Sequence, residues 1–199
     1  MNNIINTIEL ALLIIFPLIF YYQRIQKSYK TYIFYIVILY LIWFTTYSLL
    51  HELCHVFGSW ITGANVTDYQ LIPRFWEGDF KNGYVQSELE NEYQLFFSPI
   101  SPYLRDIIFL FIGYIFLKMV KIKYSFITGL VLILFVLSPL YDVFNNYFAF
   151  VIGAKNDFYS VRVAIGSFGV HTIGLLFTLT GVVVLLRLYQ ISGKHTKIK

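Results

Sequence analysis

Charge is the scarcest commodity in this chain of 199 residues: only 13% are Asp, Glu, Lys or Arg, about half the share of an ordinary soluble domain. A soluble enzyme needs a charged surface, and a chain this short has no second domain to supply one. Cysteine is also nearly absent. The single Cys54 excludes an intramolecular disulfide framework and a zinc ribbon. Proline occurs five times, too seldom for a low-complexity linker. The net charge of +4 lacks the basic density of a nucleic-acid-binding face. What fills the chain instead is apolar: 58% hydrophobic and 20% aromatic residues. These proportions imply an all-α, multi-pass membrane protein forming one integral domain over 1–199.

A bilayer core takes about 20 apolar residues per helix. Five spans are expected, at about Ile4–Tyr22, Thr31–Ile61, Phe97–Val120, Tyr124–Phe150 and Val161–Tyr189. Met1-Asn2-Asn3 lacks the basic start of a signal peptide, so the first run is expected as a retained span. Lys and Arg sort by loop. Arg24, Lys27 and Lys30 follow span one, Lys118, Lys121 and Lys123 join spans three and four, and the tail carries Arg187, Lys194, Lys197 and Lys199. With five crossings the positive-inside rule places the N-terminus outside and the C-terminus in the cytoplasm. The polar segment Asn65–Gln94 alternates at Asp68–Ile72 and Tyr84–Ser87 around a turn ending in Lys81-Asn82-Gly83, and reads as a β-hairpin.

The chemistry lies near the end of span two, in His51-Glu52-Leu53-Cys54-His55. Residues four apart share a helix face, so both imidazoles of an HExxH motif can reach one metal ion. Glu52, a residue on from His51, can stand beside the metal as a base. Ionisable groups inside an apolar span are expensive and mark function. Thr45, Ser48, Glu52, His55 and Ser59 extend the pattern into a polar stripe on the same helix. The metal expected is Zn2+, which takes a third protein ligand in catalytic sites. Asp142 is the only acid inside span four and is the leading candidate, just after Pro139. Ser98-Pro99 and Pro102 open span three. His171 is expected as a packed histidine, and His195 as part of the basic tail.

HELCH on a membrane helix, a Ser-Pro helix entry and a Pro-containing helix with a late Asp resemble the site-2 protease family of intramembrane zinc metalloproteases. The resemblance covers about Thr31–Phe150. It implies His51, His55 and Asp142 as zinc ligands, Glu52 as catalytic acid/base, and a hairpin that engages substrate as an added strand. Cys54, Ser98, Val136, Tyr141 and Val143 depart from the family's usual residues, and the resemblance to divergent relatives that end in a Gly/Asp loop implies Asp157, in Gly153-Ala154-Lys155-Asn156-Asp157, as the fallback ligand. The family generally holds its zinc nearer the cytosol, whereas the charge count places HELCH near the outer face.

The substrates implied are membrane-embedded or membrane-adjacent proteins, with the bilayer and a regulatory membrane protein as further partners and nucleic acid excluded. Two other functions stand beside this one. One rests on a resemblance of the HExxH motif to membrane zinc proteases of the prenyl-protein or heat-shock type, which implies Glu88, Glu90 or Glu92 as third ligand. The other is a non-catalytic zinc-holding scaffold.

Overall fold

The computed structural model describes residues 3–25, 28–74, 77, 83–119 and 125–195. Lys81 and Asn82 of the expected turn, and the tail beyond His195, lie outside them. Helices α1 (Asn3–Leu10) and α2 (Phe16–Ile25) are joined by a π-helical segment, Ala11–Ile15. Then follow α3 (Tyr29–Thr62), strands β1 (Asn65–Gln70) and β2 (Tyr84–Glu88), and α4 (Glu92–Met119). Helices α5 (Ser125–Leu132) and α6 (Ser138–Val151) flank a second π segment, Ile133–Leu137, and α7 (Asp157–His195) ends the described chain.

Among the described residues, four helices are long and apolar enough to cross a membrane: Tyr29–Thr62, Glu92–Met119, Phe126–Val151 and Asp157–Leu188. The first expected span is a shorter apolar helix, Thr7–Gln23. The third begins five residues before the expected Phe97, at Glu92, with Asn91 Oδ1 accepting from the Gln94 amide at its start. Large apolar side chains face outward, with Trp60 73% and Phe168 87% exposed. Such a surface suits hydrocarbon rather than water.

Both π segments have the same origin in the sequence. Each ends two residues before a proline, Pro17 or Pro139. Proline cannot donate to the carbonyl four residues back, and its ring crowds that carbonyl. Widening the preceding turn relieves the clash without breaking the helix. The amides of Phe16 and Ser138 accordingly bond the carbonyls of Ala11 and Ile133, five residues back.

The chain divides into two compact units. The first comprises 1–43, 106–145 and 175–199. Its core holds Ile14, Leu18, Leu39, Leu110, Ile133 and Leu137, all fully buried. Glu9 is buried here and accepts a hydrogen bond from the Asn145 amide. Asp142 is also in this unit and fully buried.

The second unit comprises 44–105 and 146–174. The expected hairpin is present as an antiparallel pair, with Asn65 opposite Glu88 and Gln70 opposite Tyr84. A bulge lies between Val66 and Asp68. The Tyr84 hydroxyl donates to Asp68 Oδ2 at 2.8 Å, which raises the phenol above its ordinary pKa. Helix α3 ends at Gly63, whose φ of 72° lets the Ala64 amide reach the Ser59 carbonyl at 2.8 Å.

Candidate metal centre

Ser48, Glu52, His55 and Ser59 follow one another along α3 at spacings of four, three and four, and all are buried. Thr45, the first member of the expected stripe, is exposed. Each buried member has a distinct task. The Ser48 hydroxyl accepts from the Gly83 amide at 2.8 Å and donates to the Leu71 carbonyl at 3.2 Å. It therefore holds both ends of the segment joining the strands. Ser59 Oγ lies 2.9 Å from Ser87 Oγ on β2 and 2.6 Å from Ser98 Oγ on α4. These bonds seat the hairpin and α4 on the stripe. Between the two serines lie Glu52 and His55.

Gly83 shows how closely the hairpin approaches. A Cβ there would fall 2.7 Å from both Glu52 Cγ and Ser48 Oγ, and would run into the Gln70 carbonyl. Only glycine lets this backbone lie against the expected base. On the other side of the helix pair, a Cβ on Gly58 would fall 2.6 Å from Ser101 Oγ. Ser101 Oγ itself donates to the Cys54 carbonyl at 2.7 Å. Small residues one helical turn apart thus bring α3 and α4 together.

His55 is oriented from α4. Its Nδ1 lies 2.9 Å from the Ser98 carbonyl oxygen and donates to it, which leaves the Nε2 lone pair for a metal. That carbonyl is available because Pro102 stands four residues later, inside the helix, with no N–H to claim it. The Ser101 hydroxyl, 2.8 Å away, shares its single hydrogen between this carbonyl and that of Cys54.

The acid that meets the histidines is Asp157, the first residue of α7. Its Oδ2 lies 3.4 Å from His51 Nε2 and 3.3 Å from His55 Nε2. The two Nε2 atoms are 3.1 Å apart. The three donor atoms thus form a nearly equilateral triangle. Zinc with bonds of about 2.0–2.1 Å in tetrahedral geometry spans about 3.3 Å between neighbouring ligands. Donor chemistry and spacing both fit that ion. Among the described residues the grouped metal-ligating side chains are these three, His51, His55 and Asp157. Asp157 keeps 25% of its side chain accessible, against 11% and 10% for the histidines.

The leading sequence expectation, Asp142, is not a member of this group. Asp142 lies within α6 in the first unit. Glu88, Glu90 and Glu92 are exposed and are likewise outside it; Glu88 accepts from the Asn65 amide at 3.1 Å. His171 is hydrogen-bonded at 3.0 Å to the Tyr147 hydroxyl, as a packed histidine would be. One residue escaped sequence reasoning entirely. The Tyr103 hydroxyl donates to Asp157 Oδ2 at 2.7 Å, and its ring stands edge-on to His51 with centroids 5.9 Å apart. The signal was its place next to Pro102, one residue after the carbonyl-freeing proline.

No family model, no curated protein and no solved structure matches this chain. The functional reading therefore rests on residues and geometry.

Proposed function

We propose that this chain is an intramembrane zinc metalloprotease, a divergent relative of the site-2 proteases, that hydrolyses peptide bonds of membrane-embedded or membrane-adjacent proteins. The observation that carries the reading is the triangle of two imidazole nitrogens and one carboxylate oxygen beside an HExxH glutamate. Three protein ligands are the complement of a catalytic zinc, whereas structural sites are closed by four. This count favours catalysis over a zinc-holding scaffold. Asp157 as third ligand favours the site-2 type over the alternatives built on Glu88, Glu90 or Glu92.

His51, His55 and Asp157 would hold the ion, with His55 fixed by the Ser98 carbonyl. Bound zinc supplies a Lewis acid that polarises the scissile carbonyl and acidifies water. Glu52 takes a proton from the attacking water and delivers it to the departing amide nitrogen. The peptide carbon gains the water's oxygen as its bond to nitrogen breaks. A transmembrane substrate must first unwind to expose its carbonyls. The outer edges of a two-stranded sheet offer unpaired backbone groups to such an extended segment.

For localisation, five crossings with the N-terminus outside and the C-terminus cytoplasmic follow if the shorter helix Thr7–Gln23 also spans.

The test pairs zinc content with reporter cleavage. Wild type and Glu52→Ala should each bind one zinc, with cleavage abolished in Glu52→Ala. Asp157→Ala should lose zinc and cleavage together, while Asp142→Ala keeps its zinc. Cleavage persisting in Glu52→Ala would sink the mechanism. Zinc lost from Asp142→Ala but retained in Asp157→Ala would return the third ligand to Asp142.

A further inference from the structure

Asp157 sits on an unusual piece of helix. Helix α7 is broken at Gly166, which has φ 77° and ψ 171°. Residues 157–165 therefore form a short arm distinct from the long helix that follows. The chain entering the arm turns at Gly153, with φ 95°. A Cβ at either glycine would meet nothing within 4 Å. The space beside each of the two glycines is open. Left-handed φ is a conformation that glycine adopts freely and other residues resist, and such a glycine stands at the far end of the arm and another at the turn four residues before Asp157. The backbone alone does not dictate where the Asp157 carboxylate sits, and a metal ligand needs placement to a fraction of an ångström.

The residue that supplies the placement is Tyr103 on α4. It is fully buried. Its ring packs on Phe158, the arm's second residue, with centroids 4.7 Å apart, and Phe158 is itself fully buried. Its hydroxyl donates to Asp157 Oδ2, the same oxygen that faces both histidines. Its ring edge meets His51. One side chain thus anchors the arm through Phe158, fixes the rotation of the Asp157 carboxylate through a hydrogen bond, and supports a second ligand.

Resting on the zinc reading above, we infer that Tyr103 is a positioning residue for the metal centre, acting through its hydrogen bond to Asp157. Hydrogen-bond partners of metal ligands raise affinity by about 10–100-fold. A carboxylate on a glycine-jointed arm depends on such a partner more than one on a continuous helix.

The experiment is a double-mutant cycle read by zinc affinity, measured by chelator competition on the full chain in detergent, with the visible spectrum of the cobalt-substituted protein as a second readout. Tyr103→Phe keeps the ring on Phe158 and removes only the hydroxyl. It should weaken zinc binding roughly tenfold or more and alter the cobalt bands. In an Asp157→Ala background, whose two histidines retain only weak binding read by titration at raised zinc, the same substitution should change that residual affinity by less than about twofold, because the partner it acts on is gone. An unchanged affinity and spectrum in Tyr103→Phe, or an equal loss in both backgrounds, overturns the inference while leaving the zinc reading in place. A wild-type chain that binds no zinc overturns both. If Tyr103→Phe does not fold, a fluorinated tyrosine at position 103 keeps the shape and strengthens the donor. Zinc affinity should then rise with Asp157 present and stay fixed with Ala at 157; no change in either background overturns the inference.

Discussion

Single atoms decide what the stripe on α3 can do. Ser48 and Ser59 are the same residue type, about one helical turn before Glu52 and one after His55, and both use their hydroxyls to fasten other elements. The pair of tethers brings the backbone of Gly83 against Glu52. Gly83→Ala is therefore a sharp probe. The added methyl collides with the Gln70 carbonyl, which is backbone and cannot rotate away, as well as with Glu52 Cγ. The hairpin end must lift or Glu52 must move. We expect reporter cleavage to fall by roughly two orders of magnitude, since a misplacement of about 1 Å can cost about 10²-fold, with zinc content unchanged because His51, His55 and Asp157 are untouched. Loss of zinc in Gly83→Ala would show instead that the hairpin supports the metal ligands. The HExxH pair and the stripe were legible in the sequence because helical spacing alone puts such residues on one face. Asp157 was visible only as an alternative to Asp142, because local pattern cannot say which of two acids distant in sequence folds back onto the histidines. Pro139 and the periodicity of Ser138, Asp142 and Asn145 drew attention to α6, where the proline shapes a π turn, whereas the acid grouped with the histidines is Asp157.

Prolines govern the elements. Pro17 and Pro139 each widen the turn before them, and Pro102 frees a carbonyl within α4. The sequence announced a disturbance at each position but not its form. The pair Ser98-Pro99 looked like a helix start, yet the helix begins at Glu92 and runs through both prolines. The amide that proline removes matters less here than the acceptor it leaves behind. Pro102→Ala restores an N–H four residues after Ser98, which would compete with the two donors already on that carbonyl. The substitution should have opposite effects on two measurements. Helix α4 gains a hydrogen bond worth about 1 kcal/mol, so metal-free thermal stability rises. His55 loses a partner that fixes its ring, so zinc affinity falls by roughly tenfold. If stability and affinity moved in the same direction, the Ser98 carbonyl would not be orienting His55.

For the whole molecule, membrane topology decides which face of the bilayer the proposed metal centre would serve. The charge distribution was readable from the sequence, but the number of crossings was not, because Thr7–Gln23 falls short of the other four helices. At 1.5 Å per residue its 17 residues span about 26 Å, slightly less than the ~30 Å hydrocarbon core. A modest local thinning of the bilayer accommodates such a helix at a cost of a fraction of a kcal/mol per Å. Whether or not it spans, crossings by both α3 and α4 would put Arg24, Lys27 and Lys30 on the same side as Lys118, Lys121 and Lys123, the cytoplasmic side by the positive-inside rule; the short helix decides only on which side the N-terminus lies. The end of α3 that bears His51 and His55 then faces outward, opposite to the general arrangement of site-2 proteases. Single cysteines decide it, introduced at uncharged positions so that the charge pattern is kept: Gln26→Cys, Asn82→Cys and Thr196→Cys, each in a Cys54→Ser background. In intact cells a membrane-impermeant maleimide should label position 82 and spare 26 and 196. Labelling of 26 and 196 with 82 protected would invert the chain and bring the metal centre to the cytosolic half. Labelling of 26 and 82 on one side, with 196 on the other, would mean that α3 does not cross, and the HExxH helix would have to be read as lying within one leaflet.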